Sequence, residues 1–242
     1  MLPNIRRMLV PDPGKMIFDL DLESADLRTV AWESDCAFLK DCFKTGRKPY
    51  VEMGKEYYND PGFNKTVEPA YTQFKSLCHG TNYLGKAENI SGRIGLEVSR
   101  CVRVQQWYLK KCPEIQTWHE RIVRQMDTTA TVSNAFGYRR KFFDRIEGTI
   151  YNEAVAWIGQ STTSIIINKG LVAIDEWEEE HGEGLELLMQ VHDSLIGQFP
   201  AERKDYFLRL VRDLCTITVP YADPMVMPVG IKTSETSWGD CS

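Results

Sequence analysis

The stretch MIFDLDLESADLR, residues 16–28, decides how the rest of the chain is read. It follows a P-D-P-G turn signal, and its opening residues, 16–21, read as a buried strand. Asp19 and Asp21 stand two apart on that strand and so share one face. An apolar strand that ends in a carboxylate suits a hard cation such as Mg²⁺, which prefers oxygen ligands and takes only one or two of them from the protein. Taken alone, an acidic turn at a strand end is the commoner meaning of such a pattern.

Working outward, residues 24–44 have helical composition and end at the Thr45–Pro49 breaker. A Gly/Pro/Asn segment, 59–64, reads as mobile and precedes a helix across 68–83. Helical periodicity fills 95–111, stops at Pro113 and resumes over 114–127. The β-branched and aromatic run from Thr131 to Phe143, around Phe136–Gly137, predicts a hairpin. A long helix is expected from Tyr151 to Trp177. Residues 186–199 predict two strands joined at His192–Asp193, followed by a helix over 201–215 and a last strand over 225–232. Strands bracketing a helical block predict an α+β domain with a helical insertion.

Two further segments carry chemistry. In YTQFKSLCHGTNYLG, residues 71–85, Lys75, His79 and Tyr83 are spaced i, i+4, i+8, which stacks them on one helix face. A cation, an imidazole and a phenol in a row can hold a triphosphate at one end and a base at the other. The plainer alternative is a polar helix face with no ligand. In QVHDS, residues 190–194, Asp193 sits at a tight turn between apolar strands and can present its carboxylate beside another strand. His-Asp-Ser is also ordinary turn chemistry.

Composition bounds these readings. The 242 residues are 43% hydrophobic and 26% charged, as in an ordinary globular protein. No apolar run is long enough to span a bilayer and no secretory leader is legible, so a cytoplasmic location, that of a virus or bacterium, is expected. Seven scattered cysteines without a C-x-x-C pair indicate free thiols and give no zinc pattern. The net charge of −5 conceals a basic cluster, Arg139, Arg140, Lys141 and Arg145, and an acidic run over 175–186. Placement of charge matters more than its sum for a polyanionic partner.

Together the three motifs, in this order and spacing, resemble motifs A, B and C of family A (DNA polymerase I-like) DNA polymerases. LPNIRRMLVPDPG is similar to the segment leading into motif A. NAFGYRRKFF (134–143) resembles a hairpin of phage members, and SWG (237–239) resembles the family's terminus. The resemblance runs nearly end to end. It implies a right-hand palm, an antiparallel sheet with helices, carrying a helical fingers insertion. The palm would span 1–35 and 131–242, the fingers 36–130.

By position, the resemblance implies that Asp21, Asp193 and the backbone carbonyl of Leu22 hold two Mg²⁺ ions, about 3.5–4 Å apart in two-metal sites. It assigns nucleotide contacts to Asp26, Lys75, His79, Tyr83 and His192, with Asp26 at the steric gate against a ribose 2′-hydroxyl. It assigns DNA contacts to Arg28, Arg139, Arg140 and the template-contacting Gln160. Partners would be primer–template DNA, dNTPs and no membrane. Because Asp21 lies so near the first residue, thumb and 3′–5′ exonuclease domains are expected to be absent: the sequence is either a fragment of a longer protein or the product of a split gene, with a second polypeptide supplying the thumb, the exonuclease or both.

Several positions depart from the family pattern. His79 replaces an aromatic residue, Ser194 a glutamate and Ala156 an asparagine. Tyr71 replaces an arginine one turn before Lys75, and tyrosine offers no bidentate charged fork. Two other functions remain open at this point. A single-subunit RNA polymerase would carry a small residue where Asp26 stands. A catalytically silent DNA-binding remnant fits poorly with the retention of Asp21, Lys75, Tyr83 and Asp193.

Overall fold

The structure, a computed structural model, describes residues 4–241. Leu2 and Pro3, which begin the segment leading into the first motif, lie outside the described residues. A 3-10 turn (Ile5–Met8) precedes strand β1 (Lys15–Leu22). Helices α1 (Ala25–Glu33), α2 (Ala37–Lys44), α3 (Pro49–Tyr58), α4 (Ala70–Asn82), α5 (Ala87–Ile94), α6 (Val98–Lys111) and α7 (Pro113–Thr129) follow. Next come the short strands β2 (Thr131–Ser133) and β3 (Arg139–Lys141), and the long helix α8 (Ile150–His181). Strands β4 (Glu186–Val191) and β5 (Ser194–Pro200), helix α9 (Lys204–Cys215) and strands β6 (Ile217–Val219), β7 (Met225–Met227) and β8 (Val229–Ser234) complete a mixed α+β fold.

Two expected elements are divided, and a segment expected to be mobile is held in place. The helix predicted over 24–44 breaks at Asp35, which takes a left-handed φ of 56°. Asp tolerates that region better than most residues, and the break lets the Cys36 N–H reach back to the Ala31 carbonyl at 3.0 Å. The strand predicted over 225–232 is two strands: β7 pairs with β6, whereas β8 joins the main sheet. The 59–64 segment is pinned by Phe63, which is 1% exposed and packs among Tyr58, Tyr71 and Phe74.

By packing, the chain divides into two compact units, one from the chain up to Ala25 and from Ser161 onward, the other from Asp26 to Gln160. The first is built on an antiparallel sheet of order β4-β5-β1-β8. Along β1, Met16, Phe18, Leu20 and Leu22 are buried on one face, and Ile17, Asp19 and Asp21 lie on the other. Phe18 stacks on Phe199 at 5.8 Å, Phe199 on Phe207 of α9 at 5.3 Å, and Trp177 of α8 meets Phe207 edge-on. This aromatic column ties sheet to helices.

Gly197 on β5 is where the sheet admits the Phe18 ring. A Cβ there would lie 2.4 Å from two ring carbons and 2.5 Å from the Glu186 carbonyl oxygen. The ring is fully buried and the carbonyl is backbone, so neither can move aside cheaply. Gly197→Ala is therefore expected to destabilise the fold by about 3 kcal/mol. A urea titration would show a lowered midpoint at unchanged slope. An unchanged midpoint would mean that the sheet can open at β5.

The second unit is helical apart from the β2–β3 hairpin. Its core includes an aromatic cluster of Tyr57, Tyr58, Phe63, Phe74 and Trp107. Asn82, fully buried at the end of α4, accepts a bond from the Tyr108 hydroxyl at 2.8 Å, and its carbonyl meets the His119 ring at 2.9 Å. These bonds anchor the end of the helix that carries the second motif. Among the described residues all seven cysteines are unbridged, and no helix is long and apolar enough to cross a membrane.

Candidate active site

In the sheet-bearing unit, strand register brings two carboxylates together. Asp21 pairs with Ser194 across β1 and β5, and Ser194 pairs with Val191 across the β4–β5 hairpin. The turn between them is His192–Asp193. His192 takes a left-handed φ of 55°, a conformation that costs a non-glycine residue about 1 kcal/mol. That tight reversal sets Asp193 next to Ser194 and so beside Asp21. The Ser194 hydroxyl donates to Asp21 Oδ1 at 3.3 Å. Burial first, and then the Asp193 charge, push the Asp21 carboxyl above its usual range, with Ser194 working the other way. Two oxygen donors that repel one another are a set that a cation would relieve.

Asp19 shares the face of Asp21 but is otherwise employed. Its Oδ2 accepts the Trp238 indole N–H at 2.8 Å. Arg6 lies over the Trp238 ring at 4.5 Å, and Arg7 pairs with Asp240 at 2.9 Å. The S-W-G segment thus clamps the strand two residues before Asp21. Sequence spacing alone made Asp19 and Asp21 equivalent. Among the described residues no group of three or more His, Cys, Asp or Glu is placed to hold a metal. Two carboxylates with a backbone carbonyl still fit Mg²⁺, which keeps waters and substrate phosphates in its remaining positions.

In the helical unit a second group assembles around α4. Lys75, His79 and Tyr83 do lie one turn apart, and the His79 and Tyr83 rings meet edge-on at 5.1 Å. Burial holds the His79 imidazole below its ordinary range, Lys75 and Arg93 push the same way, and Asp26 on α1 opposes them. Burial and then the Asp26 charge raise the Tyr83 phenol. The Tyr83 hydroxyl lies near the Asp26 carboxylate but is not aligned for a hydrogen bond with it. Burial above all, then Cys78 and Tyr83 and after them Asp26, raise the buried Tyr50 phenol. Asp26, Tyr50, His79 and Tyr83 therefore form one neighbourhood.

The structure adds residues that spacing did not reveal. Asn152 of α8 donates to the Tyr83 and Leu84 carbonyls, both at 3.0 Å, and so holds the backbone after α4. Gly159 leaves room for the Tyr83 phenol, since a Cβ there would sit 3.3 Å from its oxygen. Exposed Gln160 follows directly. Helical spacing on α8 was the available signal, as 152 and 159 fall two turns apart.

Arg28 lies over the Phe43 ring at 4.3 Å. Arg139 and Arg140 are exposed on β3, where Arg140 covers Phe142 and approaches Glu153 at 3.5 Å. His192 is exposed at its turn.

A family profile described as DNA polymerase family A matches residues 2–240. The thermostable DNA polymerase I of Thermus aquaticus is 25% identical over 235 residues, 94% of this chain and 28% of that protein. The DNA polymerase of Mycobacterium phage D29 is 22% identical over 97% of this chain and 37% of its own length. This chain thus spans well under half the length of these relatives. Among solved structures, the POL domain of Pol1 from M. smegmatis, in complex with DNA primer-template and dNTP, superposes with a TM-score of 0.85 at 18% identity, covering 97% of this chain and 42% of that one. A match along nearly the whole sequence, on an antiparallel sheet that sets two carboxylates side by side, makes this chain a member of DNA polymerase family A.

Proposed function

We propose that this chain carries the nucleotidyl-transfer centre of a DNA-directed DNA polymerase, with residues 1–35 and 131–242 serving as palm and 36–130 as fingers. The observation that carries the reading is the register pairing Asp21 with Ser194, which sets Asp193 beside Asp21 at the end of the sheet. Asp21, Asp193 and the Leu22 carbonyl would hold two Mg²⁺ ions. Such ions, when bound, make the primer 3′-hydroxyl a better nucleophile and stabilise the leaving pyrophosphate.

The remaining roles belong to side chains. Lys75 neutralises the triphosphate, and His79 and Tyr83 form a wall against the incoming nucleoside. Asp26 crowds the sugar 2′-position, which favours deoxyribose and weighs against an RNA polymerase. His192, exposed at the hairpin tip, lies beside the carboxylate that would serve the primer end. Arg28, Arg139 and Arg140 take backbone phosphates, and Gln160 takes the template. Extension of a labelled primer by the purified chain with Mg²⁺ and dNTPs tests the whole reading. No extension, alone or with a thumb-bearing polypeptide, would refute it.

The grip on duplex is expected to be weak. Backbone phosphate contacts supply much of the salt-sensitive affinity of such proteins. This chain has a net charge of −5, and Arg140, one of its few clustered cations, already faces Glu153. We expect primer–template to bind loosely at physiological salt and more tightly when a second polypeptide contributes phosphate contacts. Fluorescence anisotropy at low and physiological salt reads this directly. Tight binding and processive synthesis by this chain alone at physiological salt would overturn it.

A further inference from the structure

The second motif presents a shortage of charge. Lys75 is the one lysine or arginine on α4, and the imidazole of His79 is held towards its neutral form. Tyr71, one turn before Lys75, does not make up the difference. Its ring lies 6.2 Å from that of buried Phe63, and burial raises its phenol, so it stays neutral and belongs to the aromatic cluster. A triphosphate bound along this face would meet a single full positive charge from α4.

The neighbouring helix supplies another. α5 lies alongside α4 and is fixed at two points. Gln73 Nε2 donates to the Ile94 carbonyl at 3.1 Å, and Ile90 Cδ1 fills the space over Gly80, 2.5 Å from where a Cβ would stand. Arg93 sits between these points, one turn beyond Ile90 and directly before Ile94. It therefore rises beside the 73–80 span of α4, the span that carries Lys75 and His79. Lys75 and Arg93 both bear on the His79 ring. Both side chains are exposed, and among the described residues neither makes an ion pair, whereas Lys40, Arg47, Lys55 and Lys111 of the same unit each do. Two unpaired cations flanking a neutral imidazole form a local positive field that an anion would relieve.

We propose that Arg93 is a phosphate-binding residue of the nucleotide site, sharing with Lys75 the triphosphate charge that Tyr71 cannot meet. The proposal rests on the nucleotide-site reading given above. A guanidinium suits the task because its fork donates to two phosphate oxygens at once. An arginine in the last turn of a helix also complements the helix dipole, but any cation there does so equally.

The test is isothermal titration of inorganic tripolyphosphate, and separately of dATP, into the full chain and its variants. Arg93→Ala is expected to weaken both by about tenfold, the loss of one charge-assisted contact. It should also flatten the dependence of tripolyphosphate affinity on salt concentration, which a merely structural role would not do. Arg93→Lys should fall between, keeping the charge and the dipole complement while losing the fork. Lys75→Ala should lose as much as Arg93→Ala. Wild-type affinity and salt dependence in Arg93→Ala, with a tenfold loss in Lys75→Ala, would overturn the role of Arg93 and leave the nucleotide site standing. If Lys75→Ala is also without effect, or the wild-type chain binds neither probe, the nucleotide-site reading itself falls and this proposal with it.

Discussion

Asp21→Asn and Asp193→Asn are each expected to lower nucleotide addition by about 10³-fold or more while leaving the fold intact. Each substitution keeps the size of the side chain and removes the charge of one of the two carboxylates proposed to hold the metal ions. The fold should not suffer, because the two carboxylates repel in the metal-free protein and the Asp193 charge helps hold the Asp21 carboxyl above its usual range. Neutralising Asp193 removes that repulsion, so thermal stability without metal should stay level or rise slightly. Single-turnover primer extension, with calorimetric melting in parallel, separates the two effects. Extension near the wild-type rate would dispose of the assignment. A large fall in melting temperature would make the pair structural instead.

The second large effect is expected at Asp26. Asp26→Ala should reduce the preference for dNTP over rNTP by about 10²-fold, the scale on which pockets discriminate by shape alone. Asp26 lies close enough to Tyr83, His79 and Tyr50 to alter the acidity of each. Truncation would both open space and remove the one carboxylate charge that bears on all three. Asp26→Glu, which keeps the charge and extends it, should preserve discrimination. The measurement is the ratio of incorporation rates for matched deoxy- and ribonucleotides. An unchanged ratio in Asp26→Ala would show that the gate lies elsewhere and would reopen the RNA polymerase reading.

Local rules made much of this legible in the chain. An apolar run after a P-D-P-G turn located β1, and the period of two put Asp19 and Asp21 on one face. Helical spacing lined up Lys75, His79 and Tyr83, because residues four apart stack along one side of a helix wherever that helix packs. His192–Asp193 between two apolar runs marked the β4–β5 hairpin. These features depend only on neighbours a few residues away. Breaks such as Asp35 escaped because a left-handed residue other than glycine leaves little trace in composition, and helices α3 and α5 are too short for strong periodicity.

Contacts between distant segments were decided only by the folded chain. The difference between Asp19 and Asp21 comes from Trp238, which lies more than two hundred positions away and ties up the Asp19 carboxylate, while Asp21 meets the Ser194 hydroxyl. Asp193 reaches Asp21 through antiparallel register, set by how β5 inserts between β4 and β1 around the Gly197–Phe18 contact. Asn152 fastens the backbone after Tyr83 from another helix. Arg93 gains its place only because Ile90 and Ile94 dock on α4. Sequence determined the chemical groups and the local faces that bear them, since dihedral preferences and hydrophobic period act over short range. Tertiary structure decided which of those groups share a site and which are spent holding it together, since those pairings arise only when separate segments pack.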